Sequence, residues 1–147
     1  MENEKYRRAA DAIARSCIGV RLRLLNRVVT NLYDDALRPL GLKASQLHIL
    51  AVTAKLGLAE PAKVCGFLRL DASTLSRNVE RMRARDWLEA VPGEDARTHS
   101  FRLTAQGQRV LERALPAWEQ AQKQAEKLLG KEGIALLTKT ASKMGMP

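Results

Sequence analysis

LDASTLSRNVERMRARDWLEAVP, residues 70–92, holds the decisive pattern of this 147-residue chain. Leu75, Val79 and Met82 recur at helical spacing, so one side of the segment is expected to be buried. Asp71 is a good N-cap, and the helix should run to about Arg85. Its other side carries Ser73, Thr74, Arg77, Asn78 and Arg81, a polar stripe that is either solvated or built to touch a partner.

Upstream, residues 44–56 (ASQLHILAVTAKL) read as a short helix closed by Gly57, with Leu47, Leu50 and Ala54 facing inward. Pro61 suits the first turn of another short helix, PAKVCGFLR. A short helix, a tight connection and a capped helix with one polar side form a helix-turn-helix pattern. Downstream the period changes. WLEAVP alternates loosely, whereas in THSFRLT Phe101 and Leu103 alternate with Ser100, Arg102 and Thr104 as in a half-buried strand. PGEDAR lies between them as a turn, and strand, turn, strand after such a helix is a wing.

The flanks are helical. Residues 4–38 read as one long helix with two apolar stripes, 13, 17, 20, 24, 28 and 18, 22, 25, 29, 32, so it must be covered from more than one side. Pro39 and Gly41 end it. Thr104 can cap a helix over about 105–129 with an apolar seam at 111, 115, 118, 125 and 129, which Pro116 should kink or leave with a freed carbonyl. Gly130 separates a last helix bearing Ile134, Leu137, Ala141 and Met144 on one face. The expected fold is mainly α with a small β-wing. Residues 1–147 form one domain, with a winged helix-turn-helix at 41–104 and dimerisation helices at 1–40 and 105–147.

Composition narrows the function. A formal charge of +9 favours anionic partners such as nucleic acid, but the excess is spread out. Residues 1–43 hold nine basic against five acidic side chains, and residues 69–109 eight against six. No long uncharged apolar run exists, so neither a membrane span nor a secretory signal is expected, and the protein is expected to be cytoplasmic. Cys17 and Cys65 have no metal-ligand spacing and are expected to be small buried hydrophobes. With no phosphate-binding Gly loop, nucleophile elbow or HExxH, neither an enzyme nor a cofactor is expected.

Taken together, these segments resemble the MarR-type winged-helix transcription regulators. LRLDASTLSRNVERM is similar to that family's recognition segment, LxLDxSTLTRxVxxL. WLEAVPGEDARTHSFRLTAQG is similar to its strand-wing-strand, with Asp95 and Arg97 in a DxR wing motif, and ALPAWEQ resembles part of its dimer helix. The resemblance implies a homodimer that binds a palindromic double-stranded DNA operator, usually as a repressor released by a small-molecule effector or an oxidant. Lys43-Ala44 replaces the usual capping Thr or Ser, and Lys63-Val64-Cys65 the usual acidic-Leu-Ala.

In such a complex the outward N-terminal side chains of the recognition helix reach base edges in the major groove. Arg77 is the candidate for guanine, since its guanidinium can donate to O6 and N7 together. Ser73, Thr74, Ser76 and Asn78 are assigned to phosphate or water-bridged contacts, and Arg81 to phosphate. Arg83 and Arg85 are assigned to solvent or to ion pairs with Glu80 and Asp86. Arg97 is expected in the minor groove, braced by Asp95.

Cys17 and His48 are the candidates for a sensor or effector pocket. The family's peroxide-sensing cysteine would fall at Gly19, and two helical residues turn a side chain by about 200°, so Cys17 is out of register for that role. A redox-responsive regulator acting through Cys17, and a winged-helix module for protein contacts, stay open as alternatives.

Overall fold

The computed structural model describes residues 2–92 and 99–145. In chain order the elements are α1 (Glu2–Ser16), α2 (Ile18–Leu37), a single 3-10 turn (Arg38–Leu40), α3 (Ala44–Leu56), α4 (Pro61–Leu68), α5 (Ala72–Ala84), β1 (Leu88–Pro92), β2 (His99–Leu103) and α6 (Ala105–Lys143). Helices α3 to α5 and the antiparallel β1–β2 pair make a winged helix-turn-helix, and α2 packs along α6 beside it. No helix among the described residues is long and apolar enough to cross a membrane.

Residues 4–38 are not one helix. The chain breaks at Cys17, whose φ of −67° and ψ of 112° are extended. Ser16, Cys17, Ile18, Gly19 and Val20 all come from the weaker part of the helix-propensity scale, so the ladder is poorest there. Every side chain from Glu4 to Ser16 is exposed, so tertiary packing does not offset that weakness.

The core is centred on α3. Leu47, Ile49, Leu50 and Thr53 are buried there, while Ala54 is exposed, contrary to the inward face expected. The cause is that α3 meets α2, α4, α6 and β2 at once, so no single stripe describes its burial. Thr53, fully buried, donates its hydroxyl to the Ile49 carbonyl at 2.7 Å. The start of α3 is held from both outside and inside the helix: Asp34 of α2 accepts the Ala44 N–H at 2.8 Å, and the side chain of its own Gln46 accepts the Lys43 N–H at 3.1 Å. The missing Thr or Ser cap is thus replaced by a carboxylate from another helix.

The strands pair Leu88 with Leu103, Glu89 with Arg102 and Ala90 with Phe101. Leu88 and Phe101 are buried, and Ala59 adds a bridge to Phe101 from the α3–α4 connection. Ser100 is buried as well, so the expected alternation on β2 holds only from Phe101 onward.

Thr104 caps α6 as expected, accepting the Gly107 N–H at 2.9 Å. The backbone stays helical through Pro116 and departs only at Gly130, with φ 69° and ψ 171°. The residues of α6 buried within the chain are Gly107, Val110, Ala114, Ala121 and Ala125. Of the expected seam Ala125 is buried, Leu111 and Leu129 are half-buried, and Leu115 and Trp118 stay exposed on the chain.

Gly107 is dictated by contact. A Cβ there would stand 2.0 Å from the Trp87 carbonyl oxygen. Gly107→Ala should therefore lower stability by about 1–3 kcal/mol in denaturant unfolding, because forced overlap outweighs the better helix propensity of Ala. An unchanged or raised midpoint would show that the α6 start can shift freely.

Candidate DNA-binding surface

Helix α5 is seated by Leu75 and Met82, 2% and 0% exposed, with Val79 half-buried between them. It packs against α4 on one side and β1 on the other. The turn that leads into it passes through Arg69 in the left-handed conformation, φ 52°, closed by its N–H to the Cys65 carbonyl. At the far end the Trp87 N–H donates to the Met82 carbonyl at 2.9 Å.

With that face seated, Ser73, Ser76, Arg77 and Arg81 are exposed, and Thr74 and Asn78 are partly so. Asp71 organises the near end. Its Oδ1 accepts the Thr74 N–H at 2.8 Å and the Ser73 hydroxyl at 2.6 Å, while Oδ2 accepts the Thr74 hydroxyl at 2.7 Å. These bonds, the Ser73 hydroxyl first and then those from Thr74, hold the Asp71 carboxyl well below the usual carboxylate range. One turn on, an Arg77 Nη2–H points to Thr74 Oγ1 at 3.4 Å, and Asn78 Nδ2 donates to the Thr74 carbonyl at 2.9 Å. Four of the expected recognition residues therefore converge on one turn of α5 with Thr74 at the centre. Ser76 and Arg81 share the exposed side without joining this cluster.

Arg85 departs from its expected solvent or ion-pair role. Its guanidinium lies 4.5 Å from the centre of the Trp87 ring and donates to the Gly41 carbonyl, tying the end of α5 to the turn after α2. Arg83 stays exposed. On the wing, Arg102 pairs with Glu89 across the strands at 2.5 Å, so these two charges largely cancel. Asp95 and Arg97 lie outside the described residues.

His48 borders an open hollow of about 450 Å³ between α3 and α6, lined also by Leu47, Ala51, Leu111, Glu112, Leu115 and Trp118. Crowding by its neighbours pushes the imidazole below its ordinary value, and the Asp34 carboxylate opposes that. Cys17 is at the α1–α2 break, away from this hollow's lining. Both cysteines are free and half-buried, not fully buried as expected. The contributions of Asp34 and Arg85 carry no sequence signal. Neither was legible, because each acts on a backbone group distant in the chain.

A β-wing behind a seated helix of this form defines the winged-helix class. Residues 42–107 match the family model described as a winged helix DNA-binding domain. The chain is 31% identical to the M. tuberculosis transcriptional regulator MOSR, solved in complex with DNA, covering 87% of this chain and 98% of that one with a TM-score of 0.73. A mutant of E. coli MarR complexed with operator DNA superposes with a TM-score of 0.79 at 22% identity, over 90% of this chain and 96% of that one. The Bacillus subtilis protein described as an uncharacterized HTH-type transcriptional regulator, YwoH, is 26% identical over 86 residues, 58% of this chain and 63% of its own length. The chain belongs to the MarR family of winged-helix transcriptional regulators.

The Asp71 cluster has a pH consequence. A carboxylate with a depressed folded-state pKa contributes stability above its unfolded value, about 3.9, and loses that contribution only as pH falls toward the folded value. The Asp71 carboxyl carbon should therefore not titrate between pH 7 and about 4 in a carbon-detected NMR series. A midpoint in the ordinary range near 4 would mean that the hydroxyls do not hold it.

Proposed function

We propose that this chain is a homodimeric, sequence-specific repressor that binds a two-fold symmetric operator in double-stranded DNA and responds to a small-molecule effector. The carrying observation is the arrangement of α5: buried Leu75 and Met82 fix the helix, and its polar side stands free of the rest of the domain. In the proposed complex this side enters the major groove, Arg77 donates to guanine, and Arg81, Ser76 and Asn78 contact the neighbouring backbone or its waters. Arg97, braced by Asp95, enters the minor groove from the wing. The MOSR and E. coli MarR structures, both in complex with DNA, support the DNA partner, and a third similar structure, a multiple antibiotic resistance repressor, supports repression. Acting on operator DNA places the protein in the cytoplasm.

Dimer formation draws support from apolar side chains that the chain leaves uncovered. Ile18, Leu24, Leu128 and Leu136 are 71%, 60%, 52% and 66% exposed on helices from the two ends of the sequence. A single copy rarely leaves so many large apolar side chains in water, and a second copy would cover them. The hollow at His48, with Trp118 and Leu115 on its wall, is the proposed effector site.

Footprinting on the DNA upstream of its own gene should reveal two protected half-sites about one helical turn apart. Affinity should fall steeply as salt rises, because phosphate contacts release counterions. Arg77→Ala should relax base preference at one position per half-site by about 1–3 kcal/mol. Equal affinity of the wild-type chain for operator and random duplex at physiological salt would defeat the specific-regulator reading.

A further inference from the structure

We infer that Thr74, with Ser73 beside it, reads exocyclic amino groups of cytosine or adenine in the major groove and does not hold phosphate. This rests on the DNA-binding reading of α5 given above.

A hydroxyl has one hydrogen to donate and lone pairs to accept with. Thr74 Oγ1 is 2.7 Å from Asp71 Oδ2, and Ser73 Oγ is 2.6 Å from Asp71 Oδ1. An ionised carboxylate only accepts, so both hydroxyl hydrogens point at Asp71. What Thr74 and Ser73 offer to a ligand is lone pairs. Phosphate oxygens accept only, and the Asp71 charge beside them is repulsive, so a phosphate gains nothing here. Among base edges in the major groove, guanine O6 and N7 and thymine O4 also only accept. Cytosine N4 and adenine N6 are the groups that can donate.

Arg77 completes the pattern with the opposite chemistry. It carries donors and no acceptor, and one of its N–H groups is aimed at Thr74 Oγ1, three residues before it on the same face. An acceptor and a donor array thus stand side by side on α5, matched to an amino group next to the O6 and N7 of guanine. Asp71 need not touch DNA in this scheme. It is a positioning residue that fixes which way the Thr74 hydroxyl points.

Asp71→Asn tests this without removing the helix cap, because Asn caps about as well as Asp. Its Oδ1 still accepts the Thr74 N–H, while the amide nitrogen replaces Oδ2 and donates to Thr74 Oγ1. The Thr74 hydrogen is then released toward the groove. Full-length wild type and Asp71→Asn would each be used to select from a random duplex library. Wild type should enrich cytosine or adenine at one position per half-site beside the guanine lost in Arg77→Ala selections, and Asp71→Asn should enrich guanine or thymine there.

Single analogues then separate the two amino sources in the wild-type site. Replacing that cytosine by 2-pyrimidinone, or that adenine by unsubstituted purine, should weaken wild type about fivefold or more. The same replacement should leave Thr74→Val unaffected. If the wild type enriches an operator but no amino deletion in the half-site weakens it, or if Asp71→Asn enriches the same base, the inference is overturned and the regulator reading stands. If the wild type enriches no sequence, both fall together.

Discussion

The peptide of Trp87 is where the parts of this molecule are joined. Its N–H closes the recognition helix onto the Met82 carbonyl, and its own carbonyl accepts the Thr104 N–H at 3.1 Å, at the threshold of α6. The glycine at 107 lets α6 approach that same carbonyl to a distance that no side chain would permit. One residue therefore fixes the end of α5, the entry to the wing and the start of the long helix. The ring of Trp87 adds a fourth connection, since Arg85 lies over it while bonded to Gly41. The orientation of the polar side of α5 relative to α2 and α6 is set at this point, and the surface offered to DNA inherits it.

What the residues announced in advance was whatever is local. The Asp71 cap, the inward Leu75 and Met82, the change to strand period after Asp86 and the Thr104 cap all depend on neighbours within a few positions. The misses share the opposite property. Large apolar side chains dominate a periodic reading, so Leu115 and Trp118 stand in the expected seam of α6 yet are exposed on the chain, whereas Ala114 and Ala121, outside that seam, are buried with Ala125, which belongs to it. Small residues allow close approach and carry little signal of their own. The break at Cys17 was illegible because no proline marks it, and a run of merely weak helix formers is ambiguous without packing information. The Asp34 cap on Ala44 spans ten residues and replaces a local signal that the sequence lacks.

The candidate site shows the same division. Which residues line α5's outer side followed from helical spacing, but what each can do chemically did not. Ser73 and Thr74 are hydroxyls that could donate or accept, and their sequence context leaves both roles open. Only the positions of Asp71 Oδ1 and Oδ2 assign the hydrogens. Charge is similarly uninformative here, since Asp71 and Glu80 offset part of the arginine excess on the helix. Direction, more than net charge, distinguishes this surface from an ordinary solvated one.

The interruption at Cys17 also divides the N-terminal region into two cooperative units. Helix formation is costly to nucleate and inexpensive to extend, so a continuous helix would borrow its order from the part of α2 that packs on α6. Extended geometry at Cys17 interrupts that propagation. The fifteen residues of α1, with every side chain from Glu4 to Ser16 exposed, must then sustain their own turns, at a length where isolated helices are only marginal in water. In a single copy of the chain, amide hydrogens before Cys17 should therefore exchange faster than those of the later turns of α2, with the boundary near Cys17.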